Sequence, residues 1–131
     1  HVVEKAEQII AQTTGPVACL GLAFKANIDD FRESPALKIA AALAQRHGNR
    51  ICVVEPYAAT LPKEFDGTGA QLIDLDSAID DCAAFIVLVD HDLFKSVPLD
   101  ERADKHVYDT RGIWPDQPAA DSAPRRLRLA S

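Results

Sequence analysis

The chain has 131 residues, with 14 basic against 20 acidic side chains and a net charge of −6. That length suits one domain able to bury roughly two thirds of its unfolded surface, and a composition of 47% apolar and 26% charged residues excludes disorder of the whole chain. The negative balance excludes non-specific nucleic-acid binding, which needs a positive field, but leaves room for a phosphate held by a few well-placed cations.

From Val2 to Ala11, the residues Val2, Val3, Ala6, Ile9 and Ile10 recur at helical spacing, and Gly15-Pro16 ends that helix. Val17 to Ala23 is a nearly unbroken apolar run, the pattern of a strand covered on both faces of a parallel sheet. A helix then starts at Ser34, a good N-cap, with Pro35 at the first helical position. Ala36, Ile39, Ala40, Leu43 and Ala44 form its apolar stripe, and Gly48 is its stop.

Ile51 to Val54 reads as the second strand, ended by Glu55-Pro56, and residues 57–69 as a loop. A short strand at Gln71–Ile73, a helix over Ser77–Cys82 and an apolar strand over Ala84–Val89 come next. Leu93 to Lys95 is a helical turn, and His106 to Asp109 the last strand. After Trp114 the prolines and the lack of periodicity predict a disordered tail, its Arg125, Arg126 and Arg128 solvated. Strands alternating with helices predict a Rossmann-like, doubly wound α/β fold, its mostly parallel sheet flanked by helices.

Cys19, Cys52 and Cys82 are an odd set without a Cys-x-x-Cys, so they read as buried hydrophobes rather than disulfides or a zinc site. No metal is expected. No apolar stretch approaches the roughly 18 residues of a membrane span, and no signal peptide opens the chain. The expected location is therefore cytoplasmic, with no membrane partner. The first residue is His1 rather than Met, which suggests a fragment.

In open parallel sheets ligands sit beyond the carboxyl ends of the strands, at the point where strand order reverses. The residues there are Phe24 and Lys25, Glu55, Asp90 and His91, and Asp109, Thr110 and Arg111. With strand order 3-2-1-4-5, Lys25 and Arg111 would converge on one anion. The first turn, Gly21-Leu22-Ala23-Phe24-Lys25, is neither G-x-G-x-x-G nor a P-loop. A receiver-type phosphorylation domain would carry an acidic pair where Lys25 comes after the first strand, and is excluded too.

The turn from Lys25 to Ser34 holds Lys25, Asn27, Asp29, Asp30, Arg32 and Glu33. It reads either as a solvated loop with weak surface ion pairs or as a support from which Arg32 reaches an anion. His91 has no second ligand at metal spacing and reads as a capping, hydrogen-bonding residue rather than a base. Glu55 sits where dinucleotide folds keep a ribose-binding acid, but the glycine loop that would accompany that role is missing.

The stretch GLAFKANIDDFRESPALKIA, residues 21–40, resembles the opening of the C-terminal UDP-binding domain of the UDP-glucose/GDP-mannose dehydrogenase family. VEPYAA, VLVDHDLFK and VYDTRGIW are similar to later family blocks in the same order, so the resemblance covers about residues 15–114. VEP, LVDH and GIW are closer to members that oxidise UDP-N-acetylmannosamine than to those that oxidise UDP-glucose.

The resemblance implies oxidation of a sugar C6 hydroxyl to a carboxylate by two hydride transfers to NAD, through a covalent thiohemiacetal. The nucleophilic cysteine and the NAD fingerprint would lie in preceding domains. This chain would thus hold no catalytic residue, and its partners would be the UDP-sugar and the N-terminal and middle domains of the same enzyme. Phe24, Lys25 and Arg111 would bind the UDP-sugar, and Arg32 would reach NAD across the cleft. Residues 1–14 would end an interdomain linker helix, 15–114 would form the UDP-sugar-binding domain, and 115–131 the tail. Full-length members form homo-oligomers through the middle domain, so the isolated piece would be monomeric. Alternatives are a dehydrogenase for UDP-glucose or another UDP-hexose, and a free-standing nucleotide-binding module.

Overall fold

The computed structural model describes residues 1–118. The sheet comprises β1 (Val17–Leu20), β2 (Ile51–Val54), β3 (Gln71–Leu72), β4 (Ala84–Val87) and β5 (His106–Asp109). The helices are α1 (Val2–Gln12), α2 (Pro35–His47), α3 (Leu75–Asp81), α4 (Asp92–Lys95) and α5 (Leu99–Arg102). Strand order is β3-β2-β1-β4-β5 and every pairing is parallel. The chain winds outward from β1 through β2 to β3, then returns to pair β4 with β1. The reversal therefore lies between β1 and β4, the expected place for a ligand crevice.

Alternation along the strands builds a core on each face. Val17, Cys19, Ile51, Val53 and Ile86 point to the face covered by α1 and α2, with Ile10, Ala40, Leu43 and Ala44 packed on them. Ala18, Leu20, Cys52, Val54, Phe85 and Val87 point to the other face, under Leu75, Ala78, Phe94, Val97 and Trp114. The fold is thus a doubly wound α/β sandwich, as its apolar runs and helical stripes predict.

Ser34 caps α2 by accepting the Leu37 N–H at 3.2 Å, and Pro35 stands next to it at the first helical position. Arg50 satisfies carbonyls at the end of α1, donating to Thr13 O at 3.0 Å and Ile10 O at 3.3 Å. Arg102 is buried and binds Asp116 at 2.9 Å and Gln117 at 3.0 Å, so the chain just past Trp114 lies against α5. The remaining tail positions, 119–131, lie outside the described residues, including Arg125, Arg126 and Arg128.

Four elements differ most from the sequence reading. β1 and β4 are shorter than their apolar runs, because Leu88 N and Val89 N both turn onto Leu20 O, at 3.0 and 3.2 Å. Gly21 permits that crossing: its φ is +102°, and a Cβ there would lie 2.5 Å from the Val89 Cβ. α3 starts two residues early, because Asp74 accepts the Ser77 N–H at 2.8 Å and makes Leu75 the first helical residue. α5 is one turn long and carries too few residues to show a period.

Candidate functional site

The register aligns Leu20 with Val54 and Val87, and Val87 with Asp109, so four strands end in one row. The segments that leave those four strand ends therefore meet at one edge of the sheet. In the middle of that edge Glu55 and His91 are buried, their side chains at 0% exposure.

Glu55 Oε1 accepts the Leu22 N–H at 2.8 Å, the Ala23 N–H at 3.2 Å and a bond from His91 Nε2 at 2.9 Å. Its other oxygen accepts the Tyr57 N–H at 3.0 Å. Burial pushes the carboxyl pKa up, but the bonds from His91, Leu22 and Tyr57 together hold it below the usual carboxylate value.

His91 Nδ1 accepts the Asn27 N–H at 2.8 Å, which assigns the ring proton to Nε2, facing Glu55. Tyr57 and Phe94 flank the ring, with centroids 5.1 and 5.3 Å away. Asn27 has a left-handed φ of 63° and its Oδ1 accepts the Asp92 N–H at 3.0 Å. The turn after β1 is thus tied to the ends of β2 and β4.

The residues singled out from sequence sit on the rim of this edge. Phe24 is 54% exposed. Lys25 is exposed and has no hydrogen bond or ion pair among the described residues. Arg111 lies just past β5 and approaches Asp90 at 3.6 Å, so it shares the edge with Lys25 across β4. Arg32 is 89% exposed and pairs with Asp30 at 3.1 Å. It lines an open depression of about 330 Å³ together with Phe24, Asp30 and Glu33. The structure therefore brings Phe24 and Arg32 to one surface, and places Lys25 and Arg111 beyond the ends of β1 and β5, with β4 between them.

Two residues named from the sequence, Asp109 and Asn27, turn out to be organisers, a role their spacing does not reveal. Asp109 accepts the N–H groups of Arg111 at 3.2 Å, Ile113 at 3.2 Å and Trp114 at 2.9 Å, which shapes the turn presenting Arg111. The signal available was an aspartate at a strand end ahead of a glycine turn. Asn27 carried the other signal, as a residue type tolerant of left-handed backbone. Cys19, Cys52 and Cys82 are all buried. Desolvation pushes the Cys19 thiol up to about 12, which rules it out as a nucleophile near neutral pH.

The backbone donors of the first turn bear on cofactor fit. In a dinucleotide-binding turn such donors face the pyrophosphate. Here the N–H groups of Leu22 and Ala23 are occupied by Glu55. The Glu55 carboxylate is itself fully buried and so is not open to a ribose. With those donors occupied, Leu22, Ala23 and Glu55 offer no cradle for the pyrophosphate of NAD.

Residues 18–116 match the model of the UDP-glucose/GDP-mannose dehydrogenase family, UDP binding domain. Among curated relatives, the UDP-N-acetyl-D-mannosamine dehydrogenase of Salmonella typhi is 48% identical over 98 residues. That alignment covers 75% of this chain and 23% of the relative. The NDP-N-acetyl-D-galactosaminuronic acid dehydrogenase of Ralstonia solanacearum is 37% identical over 115 residues, covering 87% and 27%. Among solved structures, the UDP-N-acetyl-mannosamine dehydrogenase of S. aureus aligns with a TM-score of 0.64 at 26% identity, covering 86% of this chain and 26% of that one. A ternary complex of GDP-mannose dehydrogenase shares the fold with a TM-score of 0.67 at 24% identity, covering 85% and 28%. The chain thus spans about a quarter of the length of its relatives. With its sheet edge, its basic rim and a family match running from β1 past β5, the chain belongs to the UDP-glucose/GDP-mannose dehydrogenase family, over the part that forms the family's UDP-binding domain.

Proposed function

We propose that this chain is the C-terminal, UDP-sugar-binding domain of an NAD-dependent UDP-sugar 6-dehydrogenase whose substrate is UDP-N-acetylmannosamine. The observation that carries the reading is Lys25, without a partner among the described residues, at the carboxyl end of β1 beside the switch point. The substrate assignment rests on relatives named for UDP-N-acetyl-D-mannosamine at 45% and 48% identity. The relative named for N-acetylgalactosaminuronic acid, at 37%, favours a second reading in which the sugar is another N-acetylated hexosamine.

Lys25 supplies a compact positive charge to the diphosphate or to the acid forming at C6, and Arg111 a planar fork for a bidentate anion contact. Phe24 lays its exposed ring against the nucleotide sugar. Arg32 reaches across the cleft to NAD held by the preceding domain, and NAD when bound accepts the hydride. Holding the sugar in near-attack geometry is this domain's share of the rate enhancement. Residues 1–14 end a helix linking it to the catalytic domains, 15–114 form the binding unit, and the full-length protein is a homo-oligomer. The enzyme works in the cytoplasm, where it makes a uronic acid precursor of a surface polysaccharide.

In the complete dehydrogenase, Lys25→Ala is expected to raise KM for the UDP-sugar by about tenfold or more, the loss of one charge-assisted contact. Arg32→Ala should instead raise KM for NAD and leave the sugar KM near wild type. Steady-state kinetics with each substrate varied in turn decides it: an unchanged sugar KM in Lys25→Ala sinks the assignment.

A further inference from the structure

We propose that Glu55 and His91 are positioning residues, which hold the turn bearing Phe24 and Lys25 in its ligand-facing form without touching the ligand. The proposal rests on the reading of Lys25 as a substrate contact. Lys25 has no side-chain partner among the described residues, so the backbone sets the point from which its flexible side chain reaches outward.

That backbone is clamped on both sides. Before Lys25, Glu55 Oε1 takes the N–H groups of Leu22 and Ala23 at 2.8 and 3.2 Å. After it, His91 Nδ1 takes the Asn27 N–H at 2.8 Å, at a residue whose left-handed φ of 63° asparagine tolerates better than most side chains. The two clamps are one unit, because His91 Nε2 bonds Glu55 Oε1 at 2.9 Å.

His91 and the Glu55 side chain are fully buried, so neither reaches a ligand directly. The Glu55 carboxylate supplies from inside the protein the anion that the turn's backbone donors would otherwise seek. The phosphates of a ligand are thereby left to Lys25 and Arg111 at the rim. Nor is the pair plain ballast for the core: of the four backbone N–H groups it binds, those of Leu22, Ala23 and Asn27 belong to the Lys25 turn and only that of Tyr57 lies elsewhere.

A double-mutant cycle in the complete dehydrogenase tests this, with two conservative variants at position 91. His91→Gln carries its amide out to the level of Nε2, where its NH2 donates to Glu55, and leaves nothing at the Nδ1 level for Asn27. His91→Asn ends its amide at the Nδ1 level, where its oxygen accepts from Asn27, and falls short of Glu55. If His91 acts through Lys25, His91→Gln and Lys25→Ala each raise the UDP-sugar KM about tenfold, and the double variant is no more than about threefold worse than either. His91→Asn should recover most of the loss. Penalties that multiply to about a hundredfold, or equal losses in both position 91 variants, overturn the proposal.

Amide hydrogen exchange separates failure of this inference from failure of the Lys25 assignment. His91→Gln should speed exchange at Leu22 and Ala23 as well as Asn27, by about tenfold, while the strand amides keep their protection. Faster exchange confined to Asn27 would show that the clamps are independent and overturn the proposal, whatever Lys25→Ala does to KM.

Discussion

Glu55 commits both its oxygens to the protein's own donors: Leu22, Ala23 and His91 at one, Tyr57 at the other. Its position after β2 is legible in the sequence, and so is the absence of the glycine loop that would make it a ribose ligand. Its partners are not legible, because nothing in linear spacing joins residue 55 to residues 22, 23 and 91. His91 is more legible, since a histidine with no second ligand at metal spacing is left with hydrogen bonding. The pKa of Glu55 is depressed in the folded protein, so its stabilisation is present in full above the unfolded value of about 4.3 and is lost as pH falls through the folded value. Glu55→Gln is expected to lower stability at pH 6 by about 2 kcal/mol, through buried donors left without an anionic partner. It should also lose less stability than the parent between pH 6 and pH 3, since one acid-sensitive group is gone. Urea unfolding at the two pH values checks this. Glu7, Asp30 and Asp74 are also held below their usual values and act in both proteins, so equal losses in the two would clear Glu55 of the effect.

At the scale of elements, α2 is the clearest in the sequence and is the one that anchors the site. Ser34, Pro35 and Gly48 mark its ends through local backbone chemistry, which a sequence displays directly. Strand lengths are harder to read, because Leu88 and Val89 are as apolar as the β4 residues before them and only their bonds to Leu20 O take them out of the ladder. Ser34 does more than cap. While its Oγ accepts the Leu37 N–H, its hydroxyl donates to Ala23 O at 3.2 Å, joining the helix start to the first turn of the site. Ser34 is 1% exposed, so water cannot replace either bond. Ser34→Ala is therefore expected to cost about 2 kcal/mol, the upper end for a cap, and to lower the melting temperature by roughly 10 °C. Ser34→Thr, which retains the hydroxyl, should recover most of that loss. A fall below about 2 °C in Ser34→Ala, by calorimetry or circular dichroism, would show that the cap and the site turn are held by other contacts.

For the molecule as a whole, strand order and family are readable from sequence, and the division of labour between ligands is the part the fold adds. Alternating strands and helices leave few topologies once crossovers are short and right-handed, which is why the order β3-β2-β1-β4-β5 can be anticipated. What decides between UDP and NAD is where anion-binding groups remain available. The crevice donors at Leu22 and Ala23 are filled by Glu55, whereas among the described residues Lys25 has no partner and Arg111 has only a 3.6 Å approach to a half-buried Asp90. On the proposed reading, a short diphosphate is held by the two rim cations alone. A dinucleotide also needs a surface for its pyrophosphate, and this chain's is taken. Calorimetric titration of the 131-residue chain should therefore detect UDP binding that weakens with salt, as contacts to exposed cations do. The same binding should disappear in Lys25→Ala, and NAD at equal concentration should give no signal. Tight NAD binding would place the cofactor in this half and overturn the assignment. A flat UDP trace would mean that Lys25 and Arg111 do not suffice, and that the uridine and sugar draw their affinity from the preceding domains.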